Sequence, residues 1–141
     1  MNFYDCQTAL KAHLATEFKK PDVRTIDILA GELEEDAITS TVILPAVFVM
    51  FRSGALNPDR SSYEFPVVVA TESMSLDKKT SQRNNLELAA LVADFLLANP
   101  VFESADGGRY QIGPEMQAGL YALNDRHCVI VLHPNISDNS V

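Results

Sequence analysis

The stretch LPAVFVMF (Leu44–Phe51), with FPVVVAT (Phe65–Thr71) and LELAALVADFLLAN (Leu86–Asn99) after it, decides the fold. The first two read as strands with both faces buried, because apolar side chains run continuously instead of alternating with polar ones. Pro45 and Pro66 lack a backbone N–H, so each belongs at the start of its strand or on an edge. The third stretch extends a helix from Asn84 or Asn85 to Asn99, closed by Pro100. At about 100° per residue, Leu88, Leu91, Val92, Phe95 and Leu96 form a bulky stripe. Leu86, Ala90, Ala93 and Leu97, with Ala89 at their edge, form a second stripe on the far side, and Glu87 and Asp94 alone mark a charged strip. A helix apolar nearly all round is buried on more than one side, so the second stripe predicts a subunit interface or a second internal contact.

Upstream, a helix is expected from near Asp5, a good N-cap, to before Pro21, with Phe3, Cys6, Leu10, Leu14 and Phe18 on one buried face. Arg24–Leu29 alternates as a half-buried strand, and the acidic run Glu32, Glu34, Glu35, Asp36 reads as solvated surface. Arg52–Glu64, which carries Arg52, Arg60, Gly54, Asn57, Pro58 and Asp59, is too long for a tight turn and reads as an extended hairpin loop. A second polar loop, Glu72–Asn85, carries Lys78, Lys79 and Arg83; these two loops are the natural arms for contact with partners. After a turn at Asp106–Gly108, a last hairpin is expected, Met116–Leu123 and His127–His133 around Asn124 and Asp125.

The order predicts one α+β domain over residues 1–134 and a flexible tail over 135–141, with two main helices on one face of a mostly antiparallel sheet of about four to five strands. Two helices cover one side only, while three strands are apolar on both. A neighbouring subunit is therefore expected on the other side.

The chain has 141 residues, 47% of them hydrophobic, and 19 acidic against 11 basic side chains for a formal charge of −8. That suits a globular domain and repels a phosphate backbone, so no specific nucleic-acid partner is expected. No apolar run nears the ~20 residues that cross a bilayer, and no charged and apolar leader follows Met1; no membrane partner is expected.

Chemistry-bearing constellations are sparse. His127 and Cys128 point to opposite faces of a strand, and His127 and His133 share a face about 20 Å apart, so they do not chelate one ion. His13 borders the apolar stripe of its helix as a core-edge histidine. No GxSxG elbow occurs, Cys6 and Cys128 read as reduced core residues, and Gly107–Gly113 lacks the ending of a phosphate loop and reads as a turn. The acidic run lacks the spacing of a calcium loop, and no aromatic interleaves Lys78, Lys79 and Arg83 to stack a base. No catalytic residue, metal or cofactor is expected.

The helix, the strand opening Leu-Pro-Ala-Val, a polar loop, the PVVVAT strand, another polar loop and the LELAALVADFLLAN helix together resemble the Mu-like prophage minor tail protein family. The order resembles, more distantly, the tail terminator proteins of long-tailed phages; the likeness runs from about Ala9 to Leu132. The resemblance implies a tail-terminator-like α+β subunit that forms a ring, hexameric in better-known relatives. Such a ring caps the tail tube, stops its polymerisation and meets the head connector, as part of a virion tail assembled in the bacterial cytoplasm. It implies no catalytic residues. On this reading Leu86, Ala90, Ala93 and Leu97 or the uncovered sheet face join subunits. Arg52, Arg60, Lys78, Lys79 and Arg83 meet tube or connector proteins, and Glu32–Asp36 line a lumen through which DNA passes. Two rival readings stand beside it: a head–tail joining protein, and a small cytosolic enzyme or ligand-binding domain using Asp106–Gly113 and His127.

Overall fold

The computed structural model describes residues 3–19, 21–31, 33–34, 38, 41–58 and 60–139. Two helices, α1 (Phe3–Glu17) and α2 (Lys78–Ala98), lie on one face of a single mixed sheet. Its eight strands are β1 (Thr25–Ile28), β2 (Ala46–Val49), β3 (Ser53–Ala55), β4 (Ser61–Glu64), β5 (Val67–Glu72), β6 (Val101–Glu103), β7 (Arg109–Leu123) and β8 (His127–Asp138). The α+β class and the helices on one face agree with expectation; the sheet is larger than the four to five strands the apolar runs predict.

β8 is the spine. Along one edge its first half pairs antiparallel with β5 (Val67↔Leu132) and its second half with β4 (Tyr63↔Ile136). Along the other edge β7 follows it for almost its whole length, from Leu123↔Cys128 to Tyr110↔Asp138. β2 continues the sheet beyond β5, and β1 pairs with β2 in parallel, the one parallel pair among these strands. Two irregularities interrupt β7: one between Ile112 and Met116, where Pro114 sits, and one between Leu120 and Ala122, where Tyr121 is the extra residue.

Several extra strands come from segments read as loops or tail. The long polar connection Arg52–Glu64 holds the β3–β4 hairpin (Gly54↔Tyr63). Of the expected tail, Asn135–Asp138 belongs to β8; Ile136 is fully buried, and Tyr63 Oη donates to Asp138 Oδ2 at 2.8 Å. The domain therefore reaches past Pro134. Arg109–Gly113, taken for a turn, opens β7, and only Gly107 before it has the left-handed φ, +89°, that suits glycine. Gly108 is required by space: a Cβ there would stand 2.5 Å from Asp5 Oδ2 and 2.6 Å from Tyr110 Oη. Those two atoms are themselves joined, Tyr110 donating to Asp5 at 2.6 Å, which fastens the start of α1 to β7. Asp5 thus lies in the first turn of α1.

On the helix face, Cys6, Leu10 and Leu14 of α1 and Leu88, Val92 and Leu96 of α2 pack on Val67, Val69, Ile130 and Leu132. Each fully buried leucine contributes about 1.5–3 kcal/mol of burial free energy. His13 closes the seam between the helices: its Nε2 donates to the Asn99 carbonyl at 2.8 Å and its ring stacks on Phe102, centroids 5.4 Å apart.

The far face of the sheet is not left for a neighbour. Ala46, Phe48, Met50, Val68, Ala70, Val129 and Val131 are all buried there, under Leu29, Leu33, Ile38, Val42 and Leu44 from the β1–β2 connection. The chain covers its own second face, so the doubly apolar strands are no argument for a partner. Of the acidic run, Glu34 is exposed, while Glu32, Glu35 and Asp36 lie outside the described residues.

Candidate interaction surface

α2 begins at Lys78, two turns before its apolar pattern starts. Asp77 caps it, accepting at Oδ1 from Thr80 N (3.1 Å) and at Oδ2 from Thr80 Oγ1 (2.8 Å), and these bonds hold the Asp77 carboxyl below the usual aspartate range. Lys78, Lys79 and Arg83 are therefore helical and solvent-facing, not members of a loop arm. Lys78 meets Asp125 at 3.7 Å and Arg83 meets Glu87 at 4.0 Å, exposed pairs of the kind that contribute at most about 1 kcal/mol and exchange partners readily. At the far end of the sheet order, Arg52 lies 3.4 Å from Glu64 across the base of the β3–β4 hairpin, and Arg60 donates to Ser137 Oγ of β8 at 3.3 Å.

Burial divides α2 into three sectors. The seated sector is Ser81, Asn85, Leu88, Ala89, Val92 and Leu96. Its first turns are polar for a reason: Asn85 Nδ2 donates to the Val69 carbonyl at 3.0 Å, Cys128 Sγ donates to Asn85 Oδ1 at 3.3 Å, and Ser81 Oγ accepts from Met74 N at 2.7 Å.

The second sector carries the predicted interface stripe. Leu86 (52% exposed), Ala90 and Leu97 (41% exposed) face solvent, whereas Ala93 packs partly against the core. At about 100° per residue, Lys79 lies in line with Leu86, Ala90 and Leu97, all four within about 40° of one another. This flank turns away from α1, on the side where α2 overlies β7. There Ala118 and Leu120 of β7, paired with Leu132 and Ile130, extend the exposed apolar strip. Beyond Ile112, whose N–H donates to the Pro100 carbonyl, the outer edge of β7 has no strand beside it among the described residues, and Met116–Leu123 bears no charge. An unpaired strand edge leaves backbone N–H and C=O groups without ladder partners, here beside an apolar helix flank.

The third sector faces α1 across a groove of about 860 Å³. Leu91, predicted for the buried stripe, is instead 60% exposed on its wall, with Phe95, Phe18 and Pro45 deeper in. Its rim carries Glu17, Asp22, Glu72, Glu87 and Asp94 against Lys19 and Arg24, so the groove is net acidic. Thr71 lines it and is itself buried, and its Oγ1 has no hydrogen-bond partner among the described residues. A buried hydroxyl without a partner costs about 1–3 kcal/mol.

The residues of the enzyme reading do not converge. The Asp106–Gly113 segment leads into the end of β7 beside Asp138, whereas His127 opens β8 at its other end, roughly 36 Å away along the strand. His127 is buried, its backbone N–H donates to Asn124 Oδ1 at 3.0 Å and its ring Nε2 lies 3.3 Å from Asn124 Nδ2; His133 Nδ1 lies 3.2 Å from Glu64. Cys6 and Cys128 are free and buried, and burial raises both thiol pKa values above the ordinary cysteine value. Among the described residues no group of His, Cys, Asp and Glu is arranged to hold a metal, and no helix is long and apolar enough to cross a membrane.

Sequence periodicity found the second stripe of α2 but missed the groove, the bare edge of β7 and Leu76, which is wholly exposed just before the helix. The first two depend on where other elements are absent. No family model matches this chain, and no curated protein matches it.

Proposed function

We propose that this chain is a structural subunit of a long-tailed phage or prophage tail, of the terminator or completion kind, acting by contact with other proteins and not by catalysis. The observation that carries the reading is the exposed flank of α2 (Leu86, Ala90, Leu97) continuous with the bare, uncharged edge of β7. Such a surface fits repeated, specific association. The partners of this reading are further copies of the chain in a ring, the tail tube below and the head connector above, with Arg52 and Arg60 at the far end of the sheet meeting one of the latter. The net charge of −8 suits a ring whose lumen lets DNA pass without adhering.

The test is a phage or prophage in which the coding sequence is deleted and tail lengths are measured by electron microscopy. Tails of uncontrolled length, or headless tails, are expected; particles with tails of normal length, properly joined to heads, refute the reading.

A further inference from the structure

The two free flanks of α2 differ in a complementary way. The flank over β7 is apolar with a cation at its end, namely Leu86, Ala90 and Leu97 in line with Lys79. The flank facing α1 is a groove with apolar walls and an acidic rim, Leu91 and Phe95 beneath Glu17, Glu87 and Asp94. Each offers apolar surface, and the two carry opposite charge. The groove is not self-complementary, since a groove meeting a groove sets one acidic rim against another.

We infer that the α1–α2 groove is the seat for the Lys79–Leu97 flank of a second copy of this chain, in a head-to-tail contact. This rests on the structural-subunit reading and specifies its partner surface. The charge complementarity of the two flanks names the occupant. A contact between two different surfaces propagates from copy to copy.

The experiment is sedimentation velocity on the full chain over a concentration series at low and high salt. The samples are wild type, Lys79→Glu, Asp94→Lys, an equimolar mixture of the two variants, and the double variant. Both side chains are exposed, and thermal melts check that each protein is folded. Should Asp94→Lys melt early, Glu17→Lys on the opposite wall takes its place. The wild type is expected to self-associate, each single variant to do so on the order of tenfold more weakly or worse, and both the mixture and the double variant to recover, since the acidic side chain placed in the flank then meets the basic one placed on the groove rim. Three results overturn the inference: a wild type that stays monomeric, single variants that assemble as the wild type does, or a mixture that fails to recover. Any of these leaves the tail-length experiment to judge the functional reading on its own.

Discussion

Replacing Ile136 by alanine asks whether the end of the chain is part of the core. Ile136 is fully buried between Ile112 of β7 and Tyr63 of β4, its partners in the two ladders that β8 holds together at this end. Removing three carbons from a closed site with no chain segment free to collapse into it costs about 2–5 kcal/mol. For a domain of 141 residues this corresponds to a fall in Tm of roughly 6–20 °C, readable by circular dichroism or calorimetry. Asp106→Ala, on the exposed turn before β7, serves as the control and should move stability by no more than about 0.5 kcal/mol. Truncation after Pro134 should do more than the point change. It strips β4 of its β8 partner, exposes Ile112 and leaves Tyr63 Oη, whose pKa is raised by burial and then by its hydrogen bond to Asp138, without the carboxylate that accepts that bond, so the shortened chain should not fold cooperatively. A Tm for Ile136→Ala within about 2 °C of wild type would refute the reasoning, because no buried isoleucine in a closed core is lost so cheaply.

Thr71→Val removes a buried hydroxyl that has no partner among the described residues while keeping nearly the same shape; it should raise the stability of the isolated subunit by about 1 kcal/mol in chemical denaturation, and a fall would show that the hydroxyl is satisfied. Cys6 and Cys128 should resist a thiol reagent at pH 8 in the folded protein and react within seconds to minutes once denatured, since burial both shields the thiols and disfavours the thiolate; fast labelling of the native chain would contradict their placement.

What could be read from the residues was whatever hydrophobic periodicity reports. Cys6, Leu10 and Leu14 announced the buried face of α1, and the continuous apolar runs announced β2 and β5. The start of α2 was invisible because its seated face there is Ser81 and Asn85, polar residues buried through hydrogen bonds to Met74, Val69 and Cys128. β4 (SSYE) and the end of β8 (NISD) are strands whose ladder partners, more than their own side chains, hold them in place. The largest misreading concerned the far face of the sheet. Leu29, Leu33, Ile38, Val42 and Leu44 are spaced irregularly through a polar connection, so no period marks them, yet together they form the lid that a second subunit was expected to supply. For the candidate site, the stripe Leu86, Ala90, Leu97 was legible because it belongs to one helix, whereas the groove needed α1 and α2 side by side.

Asn85 has a consequence for the direction of everything α2 presents. The aliphatic contacts that seat a helix on a sheet are themselves non-directional. The carboxamide of Asn85 grips the Val69 carbonyl with its nitrogen and takes the Cys128 thiol with its oxygen, and both bonds form at a single azimuth of the helix. One side chain thus acts as a key in a shaft, aiming the two flanks of α2 at fixed bearings relative to the sheet; in a closed assembly, an error of a few degrees at that key would be repeated at every joint around the circle.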